Sequence, residues 1–232
     1  MSLPPADWVA ETGWGAGEAL AAAVPWEDSQ RKSLPALLAT LWQILLSPRQ
    51  FFAALAHTGG LGEPLGFVLL VGTTGLLSLL FWQIVLASIG TEALSAGLLA
   101  NYFTLLQDDP RLVFGLVLLI PFYIAVSQFL LSIVLLAALR LVEGANVSYE
   151  MVFRVVAYAQ APAVLAIIPF LGGLLARLWQ LVLLVLGISQ TLRVSVSKAL
   201  CSLILAILLL SLMFALFLLF LGFLGLYRLL WS

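Results

Sequence analysis

Charged residues, cysteine and histidine are scarce in this 232-residue sequence. Only 9% of the residues are charged and 63% are hydrophobic, whereas soluble domains carry about 25% charged residues. The net charge of −1 provides no basic surface for nucleic acid. The single cysteine cannot form an internal disulfide, and the single histidine cannot build a histidine metal cluster. These scarcities exclude an ordinary soluble enzyme and a nucleic-acid-binding protein, and they indicate a polytopic membrane protein.

Catalytic motifs are also missing from the sequence. It contains no His-Glu-x-x-His zinc pattern, no Gly-x-Ser-x-Gly nucleophile elbow and no glycine-rich phosphate-binding pattern. The acidic residues precede or flank the apolar runs, which argues against a carboxylate proton relay inside a membrane. His57 has no partner ligands nearby in the sequence, and Cys201 lies within an apolar run. We therefore expect a protein that is not an enzyme and holds neither a cofactor nor a metal.

Five apolar runs have about the 20 residues that a membrane-spanning helix needs. They cover residues 65–89, 112–139, 151–168, 174–192 and 199–227. A proline followed by paired glycines at 169–173 separates the third run from the fourth, which predicts a tight helical hairpin. A re-entrant hairpin is the alternative interpretation. The predicted fold is all-α: a polytopic integral membrane protein with five transmembrane helices in a membrane domain over 59–232, preceded by a short interfacial helix pair.

Two segments precede the first span. Residues 1–33 are rich in acidic residues, prolines and glycines, which predicts a flexible acidic arm in the cytosol. Residues 34–58 are apolar but too short to cross, and Ser47-Pro48 divides them into two short helices. One interpretation is an interfacial pair with Trp42, Arg49, Phe51 and Phe52 as anchors. The other, compatible with it, is that the pair packs against the end of the bundle.

The basic residues predict an orientation. With five spans and the amino terminus inside, seven basic residues lie on the cytoplasmic side and three on the other. The cytoplasmic ones are Arg31, Lys32, Arg49, Arg140, Arg154, Arg193 and Lys198; the others are Arg111, Arg177 and Arg228. Positive charge is retained inside. We therefore expect a cytoplasmic amino terminus and an external carboxy terminus.

Polar residues concentrate in the hairpin, in contrast to the other spans. The candidate polar hairpin network consists of Arg154, Tyr158, Gln160, Arg177, Gln180 and Gln190. Arg154 and Tyr158 are four residues apart and share one helical face. Polar groups are costly in lipid unless they are satisfied, so one interpretation is hydrogen bonding across helices. The alternative is a small polar pocket or permeation path lined by the same residues.

Six short segments resemble the Yip (Ypt-interacting protein) membrane family in its prokaryotic Yip-one-domain form. In chain order they are LSPRQFF at 46–52, GEPLGF at 62–67, FRVVAYAQAP at 153–162, IPFLG at 168–172, LGISQ at 186–190 and SKAL at 197–200. Their shared order resembles the family over residues 34–221. The resemblance implies five transmembrane helices and a cytosolic amino terminus.

In eukaryotes this resemblance further implies binding to prenylated Rab/Ypt GTPases and a role in vesicle trafficking. The Asp-Leu-Tyr-Gly-Pro-type motif of those members does not occur in the arm or the first span, so this binding is not transferred here. Two function hypotheses remain. The first is a non-enzymatic scaffold or adaptor in a prokaryotic inner membrane that binds membrane proteins, including further copies of itself, or organises lipid. The second is a small transporter or channel with a polar path at the 151–192 hairpin.

Overall fold

The computed structural model describes residues 24–27, 33–55, 60–88, 110–143 and 147–231. These residues are mainly helical and include no strand. The α-helices of the described chain are α1 Leu34–Leu46, α2 Pro48–Ala54, α3 Gly62–Ser88, α4 Pro110–Glu143, α5 Tyr149–Tyr158, α6 Gly172–Leu192 and α7 Val196–Trp231. Two 3₁₀ segments accompany them, a turn at Pro25–Glu27 and a helix at Ala161–Ile167.

Within the described residues, five helical segments are long and apolar enough to cross a bilayer. They are Gly62–Leu86, Val113–Val142, Tyr149–Ile167, Gly172–Leu192 and Val196–Phe223. Helix α7 packs on α4 and α6, and its apolar side chains between residues 211 and 223 are exposed. Exposed apolar faces of this size suit contact with lipid. The prediction of an all-α membrane protein with five spans is confirmed.

The bundle has two ends that carry different residues. We call the end with Gly60, Ser148 and Val196 the arm end, because the 3₁₀ turn Pro25–Glu27 lies there. The opposite end contains the turn between the 3₁₀ helix and α6, and we call it the turn end. Trp82 in α3 marks the turn end, since its indole N–H donates to the carbonyl of Ile167 at 3.0 Å.

The third span is α-helical only as far as Tyr158, although one helix was predicted over 151–168. Pro162 lies in the first turn of the 3₁₀ helix that follows. A proline has no N–H to donate to the carbonyl four residues earlier, so the α-helical pattern cannot continue through it. Ten α-helical residues rise about 15 Å and seven 3₁₀ residues about 14 Å. Together they come close to the roughly 30 Å thickness of a bilayer core.

A tight turn joins the 3₁₀ helix to α6, where proline and paired glycines predicted it. Phe170 adopts a left-handed conformation with φ of 61°, and the N–H of Gly172 donates to the carbonyl of Ile168 at 3.2 Å. A Cβ at Gly172 would lie 2.1 Å from the carbonyl oxygen of Leu165. Only glycine therefore allows the chain to reverse this closely.

Helices α1 and α2 lie at the arm end, and only some of the predicted lipid anchors are exposed there. Trp42 and Arg49 are exposed, whereas Phe51 and Phe52 are buried in the core of the protein. The edge of the Phe52 ring fits against Gly187 of α6, with 3.1 Å to the position of an added Cβ. Phe51 and Phe52 are therefore packing residues of the bundle and not lipid anchors.

Residues 24–27 differ from the exposed arm predicted over 1–33. Val24 is buried, and the 3₁₀ turn that follows it contacts α1 and α3. The rest of the predicted arm, residues 1–23 and 28–32, lies outside the described residues, as does 56–59 of the predicted interfacial segment. The short apolar stretch Val24-Pro25-Trp26 accounts for this difference. Burial of its hydrophobic surface is favourable, although the arm as a whole is acidic in composition.

Candidate functional site

Arg154 is a fully buried cation in the middle of α5. Its exposed fraction is 0%, and it lies about one and a half turns after Ser148, whose hydroxyl caps α5 by accepting from the N–H of Met151. A buried guanidinium is stable only when a counter-ion and hydrogen-bond acceptors replace its lost hydration. Its surroundings therefore have to supply a negative charge.

The carboxylate of Glu27 supplies that charge from 127 residues earlier in the chain. Both of its oxygens lie 2.7 Å from Nη2 of Arg154. The hydroxyl of Tyr158 donates to Oε1 of the same carboxylate at 2.5 Å. Arg154 and Tyr158 face Glu27 together because they are one helical turn apart. We call Glu27, Arg154 and Tyr158 the arm-docking cluster.

Trp26 holds the 3₁₀ turn in place beside this cluster. Its backbone N–H donates to Oγ1 of buried Thr40 in α1 at 3.0 Å, and its indole N–H donates to the carbonyl of Glu63 in α3 at 2.8 Å. The indole ring also approaches Gly66, with 3.6 Å to the position of an added Cβ. Trp26 therefore connects the turn to both α1 and α3, and Glu27 follows directly.

Aromatic rings enclose the deeper part of the cluster. The ring centroid of Tyr158 lies 5.3 Å from that of Phe51 in α2 and 5.0 Å from that of Phe67 in α3. These are favourable distances for aromatic pairs. Arg154 reaches the carbonyl of Gly60 only weakly, at 3.5 Å from Nη1, and its Nε has no hydrogen-bond partner among the described residues. Most of the neutralisation of Arg154 therefore comes from Glu27.

A separate cavity lies between α3, α4, α6 and the 3₁₀ helix. It has a volume of about 290 Å³, and Gln160, Arg177 and Gln180 contribute to its lining. Nη1 of Arg177 donates to Oε1 of Gln180 at 3.2 Å. Leucines of α3 and α4 supply much of the remaining wall. The cavity is therefore amphipathic, with one cation among mainly apolar side chains.

Glycines bring the walls of this cavity close together. An added Cβ at Gly75 would lie 2.7 Å from the carbonyl oxygen of Ala163, and one at Gly173 would lie 2.8 Å from a methyl group of Leu79. Helix α3 therefore packs directly on the backbone of the 3₁₀ helix. The small residues of α3 thus permit a close approach within one chain.

The six residues of the candidate polar hairpin network do not form one cluster. Arg154 and Tyr158 bind Glu27, while Gln160, Arg177 and Gln180 line the cavity. Gln190 lies half-buried near the arm end of α6, two residues before its last residue, and lines neither site. Tyr158 and Gln160 diverge because side chains two residues apart on a helix point to nearly opposite sides.

Sequence reasoning missed Glu27, the residue that completes the arm-docking cluster. The available signal was the apolar stretch Val24-Pro25-Trp26, which directly precedes it. As for metals, the described residues include no group of three histidine, cysteine or carboxylate side chains placed to hold an ion.

One comparison with known proteins finds a match. The family model described as Yip1 domain matches residues 42–228 of the chain. Neither a curated protein nor a solved structure matches the chain. The matched range begins within α1 and extends into the last turns of α7, so it covers all five spanning segments.

Proposed function

Because the chain belongs to the Yip1 domain family, whose members are membrane proteins, we propose that it is a non-enzymatic membrane scaffold or adaptor. It belongs to the prokaryotic Yip-one-domain branch and resides in the cytoplasmic membrane. Its arm end faces the cytosol and binds a partner membrane protein. The seven-to-three distribution of basic residues supports this orientation.

The arm-docking cluster is the observation that carries this proposal. The ion pair of Glu27 with Arg154 fixes the 3₁₀ turn Pro25–Glu27 to the membrane domain at one defined position. The helix that follows the docked segment, α1, is oriented by the bond from Trp26 to Thr40. A binding surface at the arm end is therefore held rigidly, which reduces the entropy lost on association.

Helix α1 presents an apolar stripe away from the bundle. Leu34, Leu38, Trp42 and Leu46 recur every four residues, and their exposed fractions lie between 46% and 70%. The opposite face is buried through Thr40, Leu41 and Ile44 among others. A helix that is apolar on both faces suits a position in the membrane boundary beside a transmembrane helix of a partner. We take this stripe as the surface of the scaffold that contacts the partner.

Site-specific photocrosslinking in native membranes tests this proposal. A photoreactive amino acid replaces Leu38 in the stripe or, as a lipid-facing control, Leu212 in α7. We expect a discrete crosslinked protein from position 38 and none from 212. The Glu27→Gln variant should weaken the crosslink, because α1 loses its fixed orientation. Crosslinking to lipid alone from both positions would contradict the scaffold function.

The cavity supports a second candidate function, a small transporter or channel. Gln160 and Gln180 could contact a polar solute, in line with a path at the hairpin. Towards the arm end, however, the packed rings of Phe51, Phe67 and Tyr158 close the bundle, so a solute would have to separate them. Reconstituted vesicles test this candidate: flux of ions or small solutes that Gln160→Leu abolishes would support it, and equal absence of flux in both proteins would exclude it.

A further inference from the structure

The amphipathic cavity near the turn end has the features of a lipid site. Its wall includes Leu76, Leu79 and Leu130, while Arg177 supplies a positive charge. We propose that the cavity binds one acyl chain of an anionic phospholipid and that Arg177 holds the phosphate of that lipid. This site is independent of the scaffold function proposed above, since it lies away from the arm-docking cluster.

Arg177 is a cation that the described protein does not neutralise. Its hydrogen bond goes to the neutral amide oxygen of Gln180, and within the described ranges no carboxylate forms an ion pair with it. An arginine inside an apolar slab is costly unless an anion or water reaches it. By comparison, Arg154 has Glu27 as its counter-ion. The phosphate of a lipid would serve Arg177 in the same way.

The depth of Arg177 suits a lipid phosphate. The residues of the preceding turn are apolar and exposed, including Phe170 and Leu171 with exposed fractions of 76% and 61%. Trp82, whose indole N–H bonds to the carbonyl of the neighbouring Ile167, is typical of the membrane interface and indicates that this turn lies near the headgroup layer. Arg177 lies five residues after Gly172, the first residue of α6, which places it about 8 Å closer to the membrane centre. Its long side chain can extend back to the phosphate level.

The volume of the cavity suits a single acyl chain as the occupant. At about 290 Å³, it would hold roughly ten water molecules at about 30 Å³ each. This is just below the range of roughly 300 to 1,000 Å³ for pockets that enclose a drug-sized ligand. A whole phospholipid does not fit, whereas part of one acyl chain does. The headgroup and the second chain remain in the bilayer.

Gln180 adds a contact suited to the glycerol region of the lipid. Its amide oxygen accepts the bond from Arg177, which leaves the amide nitrogen to donate to an ester carbonyl. Ser127, on the opposite wall, bonds to the carbonyl of Ile124 in its own helix at 3.0 Å. Replacing Ser127 with a larger apolar residue therefore fills the cavity without breaking a contact between helices.

Native mass spectrometry of the purified full chain measures this binding. The protein is titrated with phosphatidylglycerol or with phosphatidylcholine of the same acyl chains. One additional charge contact of about 1 kcal/mol corresponds to about fivefold tighter binding of phosphatidylglycerol. Arg177→Gln should abolish this preference, whereas Arg193→Gln, which removes an exposed arginine at the arm end of α6, should retain it.

A second pair of variants tests the acyl chain. Ser127→Leu should reduce the binding of both lipids, while Ser211→Leu should not, because Ser211 bonds to its own helix in the same way but lies on the exposed face of α7. Millimolar inorganic phosphate should not displace the lipid. The inference is overturned by equal affinity for the two lipids, by equal effects of Arg177→Gln and Arg193→Gln, or by full displacement with phosphate alone. If Ser127→Leu fails to fold, the two arginine variants decide.

Discussion

At the scale of single residues, the arm-docking cluster shows why a charge tolerated inside this bundle must be paired. Arg154 has no exposed surface, and the carboxylate of Glu27 is its only ion-pair partner among the described residues. Removal of one partner from a buried pair leaves an uncompensated charge, which costs more than the pair itself contributes. The free energy of unfolding should therefore respond very differently to the replacement of one of these residues and to the replacement of both.

Replacing Glu27 is the simplest way to expose that asymmetry. Glu27→Gln removes the negative charge and leaves the Arg154 guanidinium buried beside a neutral amide. We expect the free energy of unfolding to fall by about 2 to 4 kcal/mol. Unfolding in mixed micelles followed by circular dichroism provides the measurement. Arg49→Gln, at an exposed position of the same end, should change stability by less than about 0.5 kcal/mol; a similar loss in both variants would refute the expected burial of the pair.

Tyr158 contributes a smaller share to the cluster. Tyr158→Phe retains the ring contacts with Phe51 and Phe67 and loses only the hydroxyl that donates to Glu27. We expect a loss of about 1.5 kcal/mol in the same unfolding assay, at the lower end of the range for one hydrogen bond to a charged group. A loss as large as that of Glu27→Gln would mean that the hydroxyl, and not the ion pair, holds the arm.

At the scale of elements, the helical repeat and the turn between the 3₁₀ helix and α6 determine which polar residues meet. The turn at 169–173 was predictable, because proline and paired glycines are strong local signals. So was the shared face of Arg154 and Tyr158, which requires only the α-helical period. The separation of Gln160 from Tyr158 follows from the same period, because side chains two positions apart on a helix do not face each other.

The close packing of α3 on the 3₁₀ helix gives a prediction at this scale. Gly75→Ala places a methyl group 2.7 Å from a backbone oxygen, so the helices must move apart. We expect a loss of about 1 to 3 kcal/mol in unfolding free energy. Gly62→Ala in the same helix is the matched control, because an added Cβ there has nothing within 4 Å. An equal loss of stability in both variants would contradict the close contact between α3 and the 3₁₀ helix.

Helix α1 illustrates a limit of periodicity. Helix α1 is apolar on almost every side, and its buried face includes Ala36 and Thr40. When nearly all positions are apolar, spacing cannot determine which face meets the protein. The hydrogen bond from Trp26 to Thr40 fixes which face of α1 is buried, and Trp26 lies 14 positions earlier in the sequence.

At the scale of the whole molecule, composition was enough to predict the membrane fold and its five spans. Runs of about 20 apolar residues have few other stable environments. Composition could not predict that Glu27 pairs with Arg154, which lies 127 positions later in the sequence, since no local pattern encodes a contact at that separation. The scaffold interpretation depends on that contact more than on the span count.

The orientation of the molecule can be tested by cysteine labelling. In a Cys201→Ser background, Arg49→Cys at the arm end and Arg111→Cys at the turn end introduce single exposed thiols. With the amino terminus in the cytosol, an impermeant maleimide added to intact spheroplasts should label position 111 and not position 49. The reverse labelling pattern would place the arm outside and contradict the charge-based prediction.

The coupling energy between Glu27 and Arg154 tests the docking of the arm most directly. A double-mutant cycle in lipid nanodiscs would compare Glu27→Gln, Arg154→Met and the double variant with the unmodified protein. We predict a coupling of about 2 kcal/mol or more, because the double variant removes the uncompensated charge that the Glu27→Gln variant leaves. Additive effects within about 0.5 kcal/mol would mean that the two residues are independent, and the docked arm would then be contradicted.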